Sequence, residues 1–140
     1  MKLARIVAPT GAGKSCAISR AIQHKGPEVE VIDILEGENP QTRQVRSPVV
    51  ILDSTSSSPE STLNWLDHFR QSESTHVQGV LLIGQTDKDN YWTEVQEDFS
   101  YDYAIDLDEY IQTSHIEWES RLRRAVEHSI RTLSPSAHAG

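Results

Sequence analysis

Ala8-Pro9-Thr10-Gly11-Ala12-Gly13-Lys14-Ser15 is the stretch from which the rest of the chain is best read. Before it, Leu3–Ala8 is apolar apart from Arg5 and has the length of a buried strand. After it, Ser15–His24 carries Ile18 and Ile22 four residues apart, the spacing of one helix face, and Gly26 with Pro27 supplies a stop. Between strand and helix, Gly11 and Gly13 allow a tight backbone ring whose N–H groups point inward. The helix that opens beside the ring adds the positive end of its dipole. The Lys14 ammonium and the Ser15 hydroxyl stand next to the same point. A strand, a ring of amides, a cation and a helix start together suit a polyphosphate. The residues that would line such a cradle are Pro9, Thr10, Gly11, Ala12, Gly13, Lys14, Ser15 and Cys16.

Outward from this turn, apolar runs alternate with helical patterns. Val29–Leu35 reads as a second strand and Val49–Leu52 as a third, continuously apolar and so buried on both faces. The polar segment 36–47 between them, with Gly37, Asn39 and Pro40, reads as a loop. Ser58 and Pro59 are the cap and first residue of a helix carrying Leu63, Leu66 and Phe69 on one side. Val77–Ile83 is a fourth strand, Asn90–Phe99 a weak helix and Tyr103–Leu107 a fifth strand. A last helix spans Ser114–Leu133, with Ser114 and Glu117 at capping-box spacing and an apolar stripe through Trp118, Leu122, Ala125, Val126, Ile130 and Leu133. The expected architecture is a three-layer α/β fold with a mainly parallel five-stranded sheet. It forms one domain over residues 1–133, followed by a flexible tail over 134–140. In such a fold the strand C-termini share one edge, where ligands bind.

Pro48-Val49-Val50-Ile51-Leu52-Asp53 ends an apolar strand on a carboxylate that this arrangement brings to the same edge. Ala8–Ser15 fits the Walker A pattern, with Ala8 where the first glycine usually stands, and Val49–Asp53 is similar to a Walker B strand. On these two motifs the chain resembles the P-loop NTPase superfamily. The resemblance implies a P-loop fold and nucleotide-dependent phosphoryl chemistry, with ATP and Mg²⁺ as cofactors. It gives Lys14 and Asp53 the catalytic roles, with Lys14 reaching the β- and γ-phosphates, and makes Ser15 and Asp53 the metal ligands, Asp53 usually through water.

Departures from the family pattern narrow the expected activity. Many ATPases of the superfamily follow the Walker B Asp with a water-activating Glu, whereas Ser54-Thr55-Ser56-Ser57-Ser58 stands here. Gly84-Gln85-Thr86-Asp87 shares only its Asp with the guanine signature Asn-Lys-x-Asp, which tilts the reading toward ATP over GTP. A fainter resemblance to partition ATPases rests on Val31-Ile32-Asp33-Ile34-Leu35 and Leu52-Asp53-Ser54-Thr55, although Pro9 and Thr10 occupy the place of their extra lysine. The expected function is a slow ATPase, a hydrolase acting with a protein or nucleic-acid partner or as a homo-oligomer. Two alternatives stay open. One is a small-molecule kinase with Asp33 as base and Arg43 and Arg46 as clamps; the other is a non-catalytic nucleotide-dependent switch.

Composition excludes more than it identifies. A formal charge of −8 disfavours a broad nucleic-acid footprint but leaves room for a local basic patch. No stretch approaches the roughly 20 apolar residues of a membrane span, and the apolar run at the N-terminus is too short for a secretory signal. The single cysteine, Cys16, fits a reducing compartment, so cytoplasm is expected. The six histidines show no zinc-ligand spacing. Trp65, Trp92 and Trp118 lie in helical patterns and read as core. Gln85 and Thr86 occupy the place of a polar sensor or of a simple polar loop. Arg121, Arg123, Arg124 and Arg131 alternate with Glu117, Glu119 and Glu127. Glu117–Arg121 and Glu119–Arg123 therefore read as helix-stabilising pairs.

Overall fold

The computed structural model describes residues 2–8, 14–23, 26–34, 40, 45–54, 59–71, 77–85, 103–106 and 115–133, without the side chains of residues 27, 59, 85, 103–106 and 115–118. The strands are β1 (Lys2–Ala8), β2 (Val29–Asp33), β3 (Val49–Asp53), β4 (Gly79–Gln85) and β5 (Tyr103–Asp106). The helices are α1 (Lys14–Ile22), α2 (Pro59–Gln71) and α3 (His115–Leu133). The sheet order is β2-β3-β4-β1-β5, and every neighbouring pair is parallel. Strands of five to seven residues form its body, and the four residues of β5 extend it along β1.

Side-chain alternation sorts the core into two faces. Leu3 and Val7 of β1, Val50 and Leu52 of β3, and Val80 and Leu82 of β4 meet Trp65, Leu66 and Phe69 of α2. The intervening residues Ala4, Ile6, Ala8, Val49, Ile51, Leu81 and Ile83 meet α1 and α3 on the other face. Because successive strand side chains point to opposite faces, a strand covered on both sides must be apolar throughout. Val49, Val50, Ile51 and Leu52 fulfil this, each no more than 1% exposed. Each such residue contributes about 1.5–3 kcal/mol on burial.

Element ends differ from the sequence reading where backbone hydrogen bonds compete. β2 runs to Asp33, and the Ile34 N–H continues the ladder by donating to the Asp53 carbonyl at 3.0 Å; Leu35, the expected last residue, lies outside the described residues. β4 starts at Gly79 rather than Val77, since the N–H groups of Gln78 and Gly79 both donate to the Pro48 carbonyl, at 2.7 and 3.1 Å. Gly26 adopts φ 58°, the left-handed conformation that favours glycine, and opens a 3₁₀ turn over Gly26–Glu28. Segments 90–99 and 134–140, expected as a weak helix and a tail, lie outside the described residues, as do Ser58 and Ser114.

α3 is held by three features. Its stripe of Leu122, Val126, Ile130 and Leu133 is buried against α1 and the sheet. Gly79 gives its last turn room: a Cβ there would lie 2.7 Å from the Leu133 Cβ and 3.0 Å from the Leu133 carbonyl oxygen. Glu119 does not pair with Arg123. Its nearly buried carboxylate accepts from Arg20 of α1 at 3.0 Å, while Arg123 turns to Glu127 at 3.9 Å. The contact between α1 and α3 outcompetes the local pair. The Glu117 side chain lies outside the described residues.

Candidate functional site

Sheet connectivity selects one point on the edge formed by the strand C-termini. From β1 the chain travels through α1 to β2, at one end of the sheet. From β4, the neighbour of β1, it travels the opposite way, past β1 to β5. Connections that diverge from adjacent strands leave a crevice beyond their C-terminal ends, and such switch points are where open α/β sheets bind ligands. Here the crevice falls between Ala8 and Gln85, which are register partners.

Four expected site residues can be followed directly. Lys14 is the first residue of α1, is 9% exposed and has an interaction partner within the chain. Ser15 and Cys16 follow it in the first turn of α1, both exposed. Asp53 is the last residue of β3, half-buried and also partnered within the chain. Pro9, Thr10, Gly11, Ala12 and Gly13 lie outside the described residues, as do Arg43 and Thr86. Arg46 is exposed and partnered.

Register fixes how these residues stand relative to one another. Asp53 pairs with Ile83, and Ile83 pairs with Ile6, so Asp53 is level with the residue two before Ala8. With β4 between them, β3 and β1 are two strand spacings apart, about 9.5 Å. Asp53 continues the alternation of Val49 and Ile51, which face α1. A carboxylate, a hydroxyl and a lysine are thereby brought to one end of one face. Asp33 shares the edge, but β2 lies three spacings from β1, about 14 Å.

The position after Asp53 is occupied differently from what a water-activating group needs. Ser54 is fully buried, and both its N–H and its Oγ donate to the Ile83 carbonyl at 2.9 Å. Its side chain is thus directed across to β4 and bound there. Sequence reading found the missing glutamate; the hydroxyl's part in joining β3 to β4 carried no sequence signal, because serine before a run of serines reads as loop.

Among the described residues no three of His, Cys, Asp and Glu converge on a metal-sized site. A Mg²⁺ ion shared with a nucleotide needs no such cluster, since it takes few protein oxygens and draws its other ligands from phosphate and water. Ser15 and Asp53 are hard oxygen donors of the fitting kind. Among the described residues no helix is long and apolar enough to cross a membrane. No protein-family model matches the chain, and no curated protein matches its sequence.

Proposed function

We propose that this protein is a P-loop nucleotide-binding protein that holds Mg·ATP at residues 8–15 and hydrolyses it slowly, acting in the cytoplasm with a partner or a second copy. The observation that carries the reading is the coincidence of two independent features. The glycine-containing turn followed by Lys14-Ser15 has the composition of a phosphate cradle, and the strand order has a topological switch point at the end of the strand that leads into it.

In this reading the amides of residues 9–13 and the α1 N-terminus hold the phosphate oxygens, and Lys14 neutralises charge on the β- and γ-phosphates. Ser15 and Asp53 would hold the metal. Mg²⁺, when bound, would supply neutralisation of the charge that develops on the transferred phosphoryl group. Phosphoryl transfer rests on positioning and charge stabilisation, so these groups suffice for binding. They leave water activation unprovided, because Ser54 is committed to the Ile83 carbonyl. Slow turnover follows. A kinase using Asp33 as base is disfavoured by the two strands, β3 and β4, that separate β2 from β1.

The test is ATP turnover and binding by the purified protein with Mg²⁺ and with chelator. We expect binding that weakens at least tenfold on chelation and again in Asp53→Asn, with turnover far below one per second. Turnover of many per second by the isolated monomer would contradict the role assigned to Ser54. Binding indifferent to both Mg²⁺ and Asp53 would remove the metal site.

A further inference from the structure

Asp53 is the last residue of β3, yet the chain stays bonded to the sheet behind it. The peptide unit joining Asp53 to Ser54 is held on both sides. Its carbonyl accepts from the Ile34 N–H on the β2 side at 3.0 Å, and its N–H donates to the Ile83 carbonyl of β4 at 2.9 Å. The Ser54 Oγ donates to the same Ile83 oxygen, also at 2.9 Å. A carbonyl oxygen has two lone pairs, and Ser54 brings a donor to each. Ser54 is fully buried, so the bonds stand where the local dielectric strengthens them.

These bonds bear on the residue before them. Asp53 is the register partner of Asp33 on one side and of Ile83 on the other, so the peptide plane before it lies within the ladder. The plane after it is fixed by Ile34 and Ser54. Two fixed planes set the direction of the Asp53 Cα–Cβ bond and leave the side chain only its own rotamers. A functional carboxylate must stand within about 0.5 Å of its working place, and hydrogen bonds behind it are the usual means of keeping it there.

We infer that Ser54 is a positioning residue for Asp53: by clamping the end of β3 to β4 it holds the Asp53 carboxylate for the Mg²⁺ that Asp53 and Ser15 would bind, an inference that rests on the nucleotide reading above. Ser54 needs no contact with metal or nucleotide for this, because it acts through the backbone of the residue before it. The position at which other ATPases carry a water-activating glutamate thus has a part in metal binding here. A short hydroxyl suits that part, since it reaches the carbonyl to which its own N–H is already bonded.

Anisotropy of fluorescently labelled ATP, titrated with Mg²⁺ and repeated in chelator, tests this without recourse to turnover. Ser54→Ala should bind ATP in chelator as wild type does, but should need about two- to tenfold more Mg²⁺ for its half-maximal effect, the equivalent of one hydrogen bond. In the Asp53→Asn background the same change should shift the Mg²⁺ requirement no further, because the two residues act as a unit. Ser129→Ala is the control for lost stability: Ser129 is also fully buried, and its Oγ donates to the Ala125 carbonyl of α3 at 2.8 Å. It should leave the Mg²⁺ requirement at the wild-type value. Amide hydrogen exchange without nucleotide follows the clamp itself, and the Ile34 N–H should exchange faster in Ser54→Ala than in Ser129→Ala. Three results overturn the inference and leave the nucleotide reading standing: an unchanged Mg²⁺ requirement in Ser54→Ala, an equal shift in Ser129→Ala, or a further shift of the same size in the Asp53→Asn background. Equal exchange at Ile34 in the two alanine variants overturns it as well. Wild type that binds no labelled ATP at any Mg²⁺ concentration overturns the nucleotide reading and the inference with it.

Discussion

The two faces of the sheet are packed by opposite means. Against one, α2 sets Trp65 and Phe69, with ring centroids 5.8 Å apart, among Ile32, Ile34, Leu52 and Leu82. Against the other, α3 packs on α1, β1 and β4, with Ala17 and Ala21 of α1 and Ala4 and Ala8 of β1 in the same buried cluster, and the end of α3 closes over Gly79. Bulky aromatics fill volume and supply stability. On the second face the close approach to the strands is made by α3, which packs on β1, β4 and α1. Lys14 and Ser15 belong to α1, so placing their side chains depends on how α1 seats against α3 more than on buried area. The α2 face should therefore tolerate reshaping without affecting the site, and the α1 face should not.

The largest expected effect breaks the bulky face. Trp65→Ala should cost about 3–5 kcal/mol of stability in chemical denaturation. Trp65→Phe should cost far less, because the buried indole N–H has no hydrogen-bond partner among the described residues and its removal relieves that penalty. Nucleotide affinity of the folded Phe variant should match wild type; a loss would couple the α2 face to the site and undo the contrast. Next comes Gly79→Ala, which sets a methyl against Leu133 and should cost about 1–3 kcal/mol by overpacking. Ala17→Leu should cost a similar amount and, unlike the Trp65 change, weaken nucleotide binding by shifting α1. Equal affinity in Ala17→Leu would show that the helix start is positioned by something other than its seat against α3 and the core.

Smaller effects sharpen the comparison. Ser54→Ala removes one of two donors to the Ile83 carbonyl and should cost about 0.5–1.5 kcal/mol, toward the lower end because the N–H bond persists. Ser54→Glu should raise no turnover, since its side chain would be directed toward β4; a rate gain would mean that the position does reach the bound phosphate. Smallest is Arg20→Ala. Arg20 is 57% exposed, so losing its pair with Glu119 should cost no more than about 1 kcal/mol, measurable as a small fall in Tm that disappears in high salt.

Residue chemistry made some of this legible and left the rest to tertiary packing. The four apolar residues Val49–Leu52 can only be a doubly covered strand, and the stripe from Leu122 to Leu133 can only be one helix face. The run of alternating strands and helices likewise dictates a parallel sheet. Strand order was not legible, because right-handed crossovers constrain the hand of each connection but not how many strands it skips. Nor was the partner of Glu119: spacing offers Arg123, and only packing of α1 on α3 brings Arg20 within 3.0 Å. Of the candidate site, Lys14 and Asp53 were recognisable by motif, whereas the burial of Lys14 was not. A lysine this enclosed must be paired, and whether it serves a ligand or the fold is a question of energetics that no motif answers.

Lys14→Ala separates those two roles, and Mg·ATP titrated into this variant and wild type, each followed by thermal melting, is the most direct measurement. Wild type should gain about 2.7 kcal/mol at a hundredfold excess over Kd, and the variant, still folded and cooperative, should gain little. A variant that melts with the same ATP-dependent gain as wild type, or a wild type whose Tm no nucleotide raises, would contradict it.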